Sequence, residues 1–227
     1  MKKIVIDAGH GGKDPGAVGN GLYEKDLTLK ISKHMQNYLE DNYTGHEIKL
    51  TRTSDIFHEL SKRADIANNF DADVFVSNHV NAGKGTGYES FIYNKPNAAT
   101  IALQNVLNAE ALTVAKKYGL GSHGEHKKRG NLAVVRETKM PAILTETCFI
   151  DSKDAALLKK DAFLKDMAEA YAKGIAKHLG LPEKPKSEKQ TVTGKLYRVQ
   201  VGAFKDKKNA EKLAADLKKK GYPTIIL

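Results

Sequence analysis

The sequence predicts an α/β protein. A three-layer core holds a mixed, mostly parallel, twisted sheet with helices on both faces, and a small β-α-β unit follows at the C-terminal end. Three observations predict it. Short apolar, β-rich runs alternate with stretches of helical period through residues 2–181. Runs such as KIVIDA and DVFVS read as buried strands. Beyond residue 181 the texture changes to a polar stretch without periodicity.

KKIVIDA (2–8) is a β-rich run closed by a glycine, hence a buried strand. Residues 26–41 set Leu27, Leu29, Ile31, Met35, Tyr38 and Leu39 at near-helical spacing. HEIKLTR (46–52) alternates like a strand, and 59–70 reads as a helix with Leu60, Ala64, Ile66, Ala67 and Phe70 inward. ADVFVSNHVNA (72–82) is a buried strand running into a polar loop, and YESFIYN (88–94) is another strand. Residues 98–118 form a long helix rich in Ala and Leu, and 119–131 a loop rich in Gly and Lys. LAVVR (132–136) and AILTET (142–147) are expected as strands. Residues 161–181 are an amphipathic helix stopped by Gly180 and Pro182. The stretch 182–195 is a linker. A strand (196–204), a helix (207–220), a stop at Gly221 and a strand (224–227) make the final unit. The expected organisation is therefore 1–181, 182–195 and 196–227.

The 227 residues suit one full-sized α/β domain with a small addition. The net charge is +10, and from residue 183 onward twelve Lys/Arg face five Asp/Glu, so about +7 of it sits in the linker and tail. Such a chain favours polyanions: nucleic acid, an anionic membrane or an anionic cell wall. Trp is absent and aromatics are 7%, which argues against a base-stacking platform for nucleic acid. The single cysteine, Cys148, excludes an intrachain disulfide and argues against a Cys-based zinc site. No apolar run approaches the ~20 residues that span a bilayer, so no membrane insertion is expected. MKKIVI begins like a signal peptide, but Asp7 interrupts it. The expectation is synthesis and folding in the cytoplasm without Sec export.

In an open α/β sheet, ligands bind at the carboxyl ends of the strands. His10 follows the first strand, His79 lies at the end of DVFVSNH, Glu146 ends PAILTE, and Glu24 stands before the first helix. Two histidines and a carboxylate suit zinc, and a further carboxylate suits the general base of a hydrolase. The residues alone leave alternatives open. A histidine after a strand is ordinarily a surface group, and His123 with His126 form a rival pair. GHGGKD lacks the spacing of a phosphate-binding loop. Gly9, Gly11 and Gly12 permit a sharp turn beneath His10, and Asp7 is a candidate partner for His10 or a nearby amide. Arg63 and Arg136 are candidate contacts for substrate carboxylates, with a surface or helix-stabilising arginine the more ordinary reading of each.

Four stretches carry a resemblance: IVIDAGHGGKDPGAVGNGLYEKDLTL, LTRTSD, LSKRADIANNFDADVFVSNHVNA and MPAILTETCFID. In order and spacing, over about residues 1–180, they resemble the zinc-dependent N-acetylmuramoyl-L-alanine amidases of the Amidase_3 type. The resemblance implies zinc held by His10 of the D-x-G-H-G-G motif, Glu24 before the first helix, and His79 of the S-x-H-x-N motif. It implies Glu146 of the P-A-x-L-x-E strand as the catalytic carboxylate. The implied substrate is bacterial peptidoglycan, cut between N-acetylmuramic acid and L-alanine. Two departures stand out: Asn78 replaces the more usual Ile or Leu, and Thr147-Cys148 follows Glu146 where a small residue and Gly are frequent. Cys148 is expected as an inert buried thiol. The family's division enzymes carry an extra helix that blocks the zinc. Here one long helix lies between His79 and Glu146, which implies an open, constitutively active site.

The tail resembles the first half of a SPOR peptidoglycan-binding domain. A β-α-β unit of this size is too small to bury a core alone, so either it is half-folded or two chains pair their halves, and the second, a homodimer through the tail, is the favoured reading. Action on the wall after cell lysis or holin-mediated release, as for phage endolysins or mother-cell-lysis amidases of sporulation, completes the reading.

Overall fold

The computed structural model describes residues 1–185, 199–222 and 224. The chain divides into two units, Met1–Lys186 and Ser187–Leu227. In the first unit the elements run β1 (Lys2–Ala8), a small hairpin β2 (Val18–Gly19) and β3 (Leu22–Tyr23), then α1 (Glu24–Asn42) and β4 (His46–Leu50). There follow α2 (Leu60–Asn69), β5 (Val74–Asn81), β6 (Tyr88–Tyr93), α3 (Ala98–Lys117) and β7 (Ser122–Gly130). The unit closes with α4 (Ala133–Arg136), β8 (Ala142–Phe149), α5 (Ala155–Leu158) and α6 (Asp161–Leu179).

Six strands form one sheet in the order β4-β1-β5-β8-β6-β7. Every neighbouring pair is parallel except β6 against β8, so the sheet is mixed and mostly parallel, as expected. Each face buries its own apolar cluster. Ile4, Ile6, Val74, Val76 and Ile143 meet Ile31 and Met35 of α1, Leu103 and Leu107 of α3, and Phe163, Met167 and Tyr171 of α6. On the opposite face Val5, Phe75 and Leu144 meet Ala67 of α2, Phe70 just after it, and Val134 and Val135 of α4. Alternate residues of one strand thus supply two cores. Helices α3 and α6 approach closely at Gly174, where a Cβ would stand 2.6 Å from the Leu107 Cα.

Two expectations are corrected. The segment 119–131, expected as a loop, contains the nine-residue strand β7. It lies at the sheet's edge and pairs only with β6, so it needs no apolar alternation, and its charged side chains blunt the open edge. The segment 132–136, expected as a strand, is the single helical turn α4. That turn buries the consecutive Val134 and Val135 on one side, whereas in a strand they would point to opposite faces. The expected linker also begins late. Thr44 N donates to Pro182 O and Lys184 N donates to Asn42 O, which ties 182–184 to the end of α1.

In the second unit the described residues hold one helix, α7 (Lys207–Lys219), capped by Asp206, whose carboxylate accepts from Lys208 N at 2.9 Å. Residues 199–204 form no ladder among the described residues, so the strand expected over 196–204 is absent from its described part. A strand requires a hydrogen-bonded neighbour. Its expected partner at 224–227, apart from Thr224, and residues 196–198 lie outside the described residues.

Candidate active site

The loop after β1 is shaped from below by two buried arginines. Arg52, 2% exposed, donates from Nε to Ala8 O at 2.9 Å and from Nη2 to Gly9 O at 2.9 Å and Lys25 O at 2.7 Å. Arg63, also 2% exposed, donates to Ala8 O at 2.6 Å, His10 O at 2.7 Å and Asp7 Oδ1 at 2.9 Å. The guanidinium fork suits this work because it offers five donors in fixed geometry. Arg63 is therefore committed to the protein's own backbone, and Arg136 is engaged by Asn131 and Glu137. The expectation that Arg63 meets substrate is corrected, whereas Arg136 stays 38% exposed.

Asp7 is likewise structural. It is fully buried and accepts from Thr51, Ser77 and Arg63. Burial works to raise its carboxyl, but Arg63, Ser77 and Thr51 outweigh it and hold the group below its usual range. The partner of His10 is instead Asp14, whose Oδ2 lies 2.8 Å from Nδ1. That contact leaves Nε2 of His10 facing Glu24 Oε2 at 3.1 Å. Asp14 stands in the turn Asp14-Pro15-Gly16, four residues after His10, and that turn was the signal that marks it.

Glu24 is the first residue of α1 and 4% exposed. Its Oε1 faces His79 Nδ1 at 2.9 Å and accepts from Val80 N at 3.0 Å. Its Oε2 accepts from Ala17 N at 2.8 Å. Burial opposes its charge, yet the two imidazoles outweigh that and hold the carboxyl far below its usual range. Burial also opposes the charge on His10, and Glu24 and Asp14 raise that ring above its ordinary value. Two glycines make the crowding possible. A Cβ on Gly9 would stand 2.5 Å from Cε1 of His79, and one on Gly16, which has φ +65°, would stand 2.6 Å from Glu24 Oε2 and His10 Cδ2.

The structure thus brings His10, Glu24 and His79 together, with one ligand atom of each within 4.8 Å of the others. Two imidazole nitrogens and a carboxylate oxygen form a donor set that fits zinc with a position left open. Asp14 orients one of those imidazoles, as an outer partner does in such sites. His123 and His126 lie on β7 and take no part in this trio. The expected base lies alongside. Glu146 is the cross-strand partner of His79, and its Oε2 is buried without a hydrogen-bond partner. Burial first, then the Glu24 and Glu89 carboxylates, push its carboxyl well above the usual range.

The departures from the usual motifs have local accounts. Asn78 is buried and donates to Ser32 Oγ at 2.8 Å, while its carbonyl oxygen accepts from Thr145 at 3.2 Å, so the polar side chain is satisfied. Cys148 is fully buried with φ +84°, a region that favours glycine, and it sits beside the irregular register between β5 and β8. Burial raises its thiol well above the ordinary value, in keeping with an inert role. Sequence reasoning missed Glu89, which is 3% exposed on β6 and the cross-strand partner of Glu146. Its signal was a carboxylate inside the alternating run YESFIY.

Comparison with known proteins agrees in extent with the two units. The family described as N-acetylmuramoyl-L-alanine amidase matches residues 4–177, and the SPOR domain matches residues 193–226. The chain is 43% identical to the sporulation-specific N-acetylmuramoyl-L-alanine amidase of Bacillus subtilis strain 168, over 100% of this chain and 85% of that protein. It is 49% identical to the endolysin of Bacillus phage SPP1, over 88% of this chain and 76% of that one. Among solved structures it is similar to the catalytic domain of CwlV, an N-acetylmuramoyl-L-alanine amidase from Bacillus (Paenibacillus) polymyxa. That match has a TM-score of 0.73 and 36% identity, and covers 80% of this chain and 99% of that one.

Proposed function

The chain belongs to the N-acetylmuramoyl-L-alanine amidase family, and from that premise we propose that it is a zinc-dependent peptidoglycan hydrolase. The bond cut is the amide between the lactyl carbonyl of N-acetylmuramic acid and the nitrogen of L-alanine in the stem peptide. One observation carries the reading: the His10, Glu24 and His79 ligand atoms converge beside the partnerless carboxylate of Glu146.

His10, Glu24 and His79 would hold the zinc. When bound, zinc supplies a Lewis acid for the amide carbonyl and lowers the pKa of water. Glu146 takes the proton of the attacking water and returns it to the leaving nitrogen as the carbon–nitrogen bond breaks. Asp14 holds the His10 ring so that Nε2 faces the site. The unit Met1–Lys186 is the catalytic domain, and the SPOR match at residues 193–226 marks a wall-binding unit whose basic charge suits an anionic wall. The likeness to a phage endolysin and to a sporulation amidase supports a lytic role, with the enzyme reaching the wall on cell lysis. Neither these likenesses nor the described tail residues support the homodimer expected from the sequence.

The test is mass spectrometry of products from purified Gram-positive peptidoglycan, with and without a chelator. Stem peptides with a free L-alanine amino terminus, lost on chelation and restored by zinc, are the expected result. Intact wall that still retains the protein would refute the amidase reading and make it a wall-binding protein.

A further inference from the structure

The row of side chains at the site continues past the base. His79, Glu146 and Glu89 are cross-strand partners on β5, β8 and β6, so they leave one face of the sheet side by side. Like charges directly opposite one another destabilise a sheet, so the carboxylate of Glu89 needs a reason to be there. Its two oxygens are both engaged. Oε1 accepts from Asn81 Nδ2 at 2.8 Å, and Oε2 accepts from the ammonium of Lys128. Lys128 stands on the edge strand β7 opposite Phe91. Its stem runs past that ring, with Nζ 5.8 Å from the ring centroid, toward the end of the sheet that carries Glu146.

Lys128 is not consumed by this pairing. Its side chain keeps 31% of its surface exposed, against 4% for Glu89. An ammonium has three donors, and Glu89 takes one. A free lysine side chain loses rotamer entropy when it is fixed; here a buried carboxylate already holds it. We infer that Lys128 is a specificity-determining residue that receives a free carboxylate on the second residue of the leaving peptide. The inference rests on the amidase reading above.

The dimensions agree. One strand spacing, about 4.8 Å, separates Glu146 from Glu89. An extended peptide advances about 3.5 Å per residue, so a carboxylate on the second residue lies about 6 Å beyond the scissile nitrogen. With the scissile bond over Glu146 and the leaving peptide directed across β6, that carboxylate would reach the ammonium held at Glu89. Of the two arginines that the sequence offered for this task, Arg63 is committed beneath the loop.

The test uses the full zinc-loaded chain and two muramoyl peptides that differ only in whether the second residue's carboxylate is free or amidated. The readout is the ratio of kcat/KM for the two. Wild type is expected to favour the free acid about tenfold. Lys128→Met is expected to bring the ratio close to one, and Lys128→Arg to keep most of the preference. Because Lys128→Met leaves Glu89 buried without its cation, the double variant Glu89→Gln/Lys128→Met provides a second measurement with both charges gone, and its ratio is also expected near one. Loss of folded protein lowers both substrates alike and leaves the ratio unmoved. A wild-type ratio near one, or a preference that survives in both variants, overturns the assignment of Lys128 while the amidase reading stands. Failure of the wild type to cleave either peptide removes the amidase reading and the assignment with it.

Discussion

Replacing Arg63 with Met tests whether the loop after β1 is held by a buried cation. The Met side chain fills similar volume but makes none of the contacts to Asp7 Oδ1, Ala8 O and His10 O. Asp7 is fully buried, and removing one partner of a buried pair costs about 3–5 kcal/mol because the other charge stays uncompensated. For a unit the size of Met1–Lys186, each kcal/mol moves Tm by about 2–4 °C, so Tm should fall by about 6–20 °C. Circular dichroism melts at neutral pH measure this. A pH series adds a second signature. Asp7 titrates below its usual value in the folded state, so the unfolded chain takes up its proton first as pH falls. The stability it contributes is full above its unfolded value of about 4 and is lost as pH falls through the lower folded value. Without Arg63, burial is less opposed and the folded value rises toward the unfolded one, so this acid-dependent contribution should shrink and the acid limb flatten. Asp7→Asn combined with Arg63→Met removes both charges of the pair and should recover part of the deficit. A Tm shift under about 2 °C with an unchanged acid limb would refute the reasoning.

Glu146→Gln should bind zinc as wild type does and lose turnover by at least about 100-fold; metal content and product release read the two separately, and retained turnover rules out its role as base. Asp14→Ala should weaken zinc binding about 10–100-fold with Tm of the metal-free protein little changed, as read by competition against a chelator of known affinity. Gly174→Ala should cost about 1–3 kcal/mol by forcing α3 from α6, since the added Cβ would stand 2.6 Å from the Leu107 Cα; an unchanged melt would show that the two helices yield freely.

Legibility in the sequence followed the strength of each local pattern. The strands β1, β5 and β8 carry apolar runs that only a sheet covered on both faces accommodates, and α1 and α6 carry the helical stripe that meets it. The four candidate site residues stood out because each stands where a strand ends or a helix starts, and because the motif spacing resembled one family. Elements governed by their surroundings were not legible. β7 reads SHGEHKKRG, and nothing in that run announces a strand until β6 offers it an edge. Val134 and Val135 have strong β propensity, but contact with α2 settles them in a helical turn. Arg63 has the look of a surface arginine on a helix; only the fold shows the loop carbonyls that surround it. Glu89 and Lys128 are far apart in sequence, and their meeting depends on the register between two strands.

The strand order also ties completion of the candidate site to the joining of the sheet. β8 is the last strand of the sheet in the chain, yet it lies between β5 and β6. A chain that ends before β8 holds two separate pieces, β4-β1-β5 and β6-β7, with no strand to join them. Such a chain already carries His10, Glu24 and His79 but not Glu146. In chain order the proposed ligand trio precedes the proposed base, and the strand that brings Glu146 is the one that joins the two half-sheets. A chain lacking β8 therefore lacks Glu146, and one strand completes both the joined sheet and the candidate site.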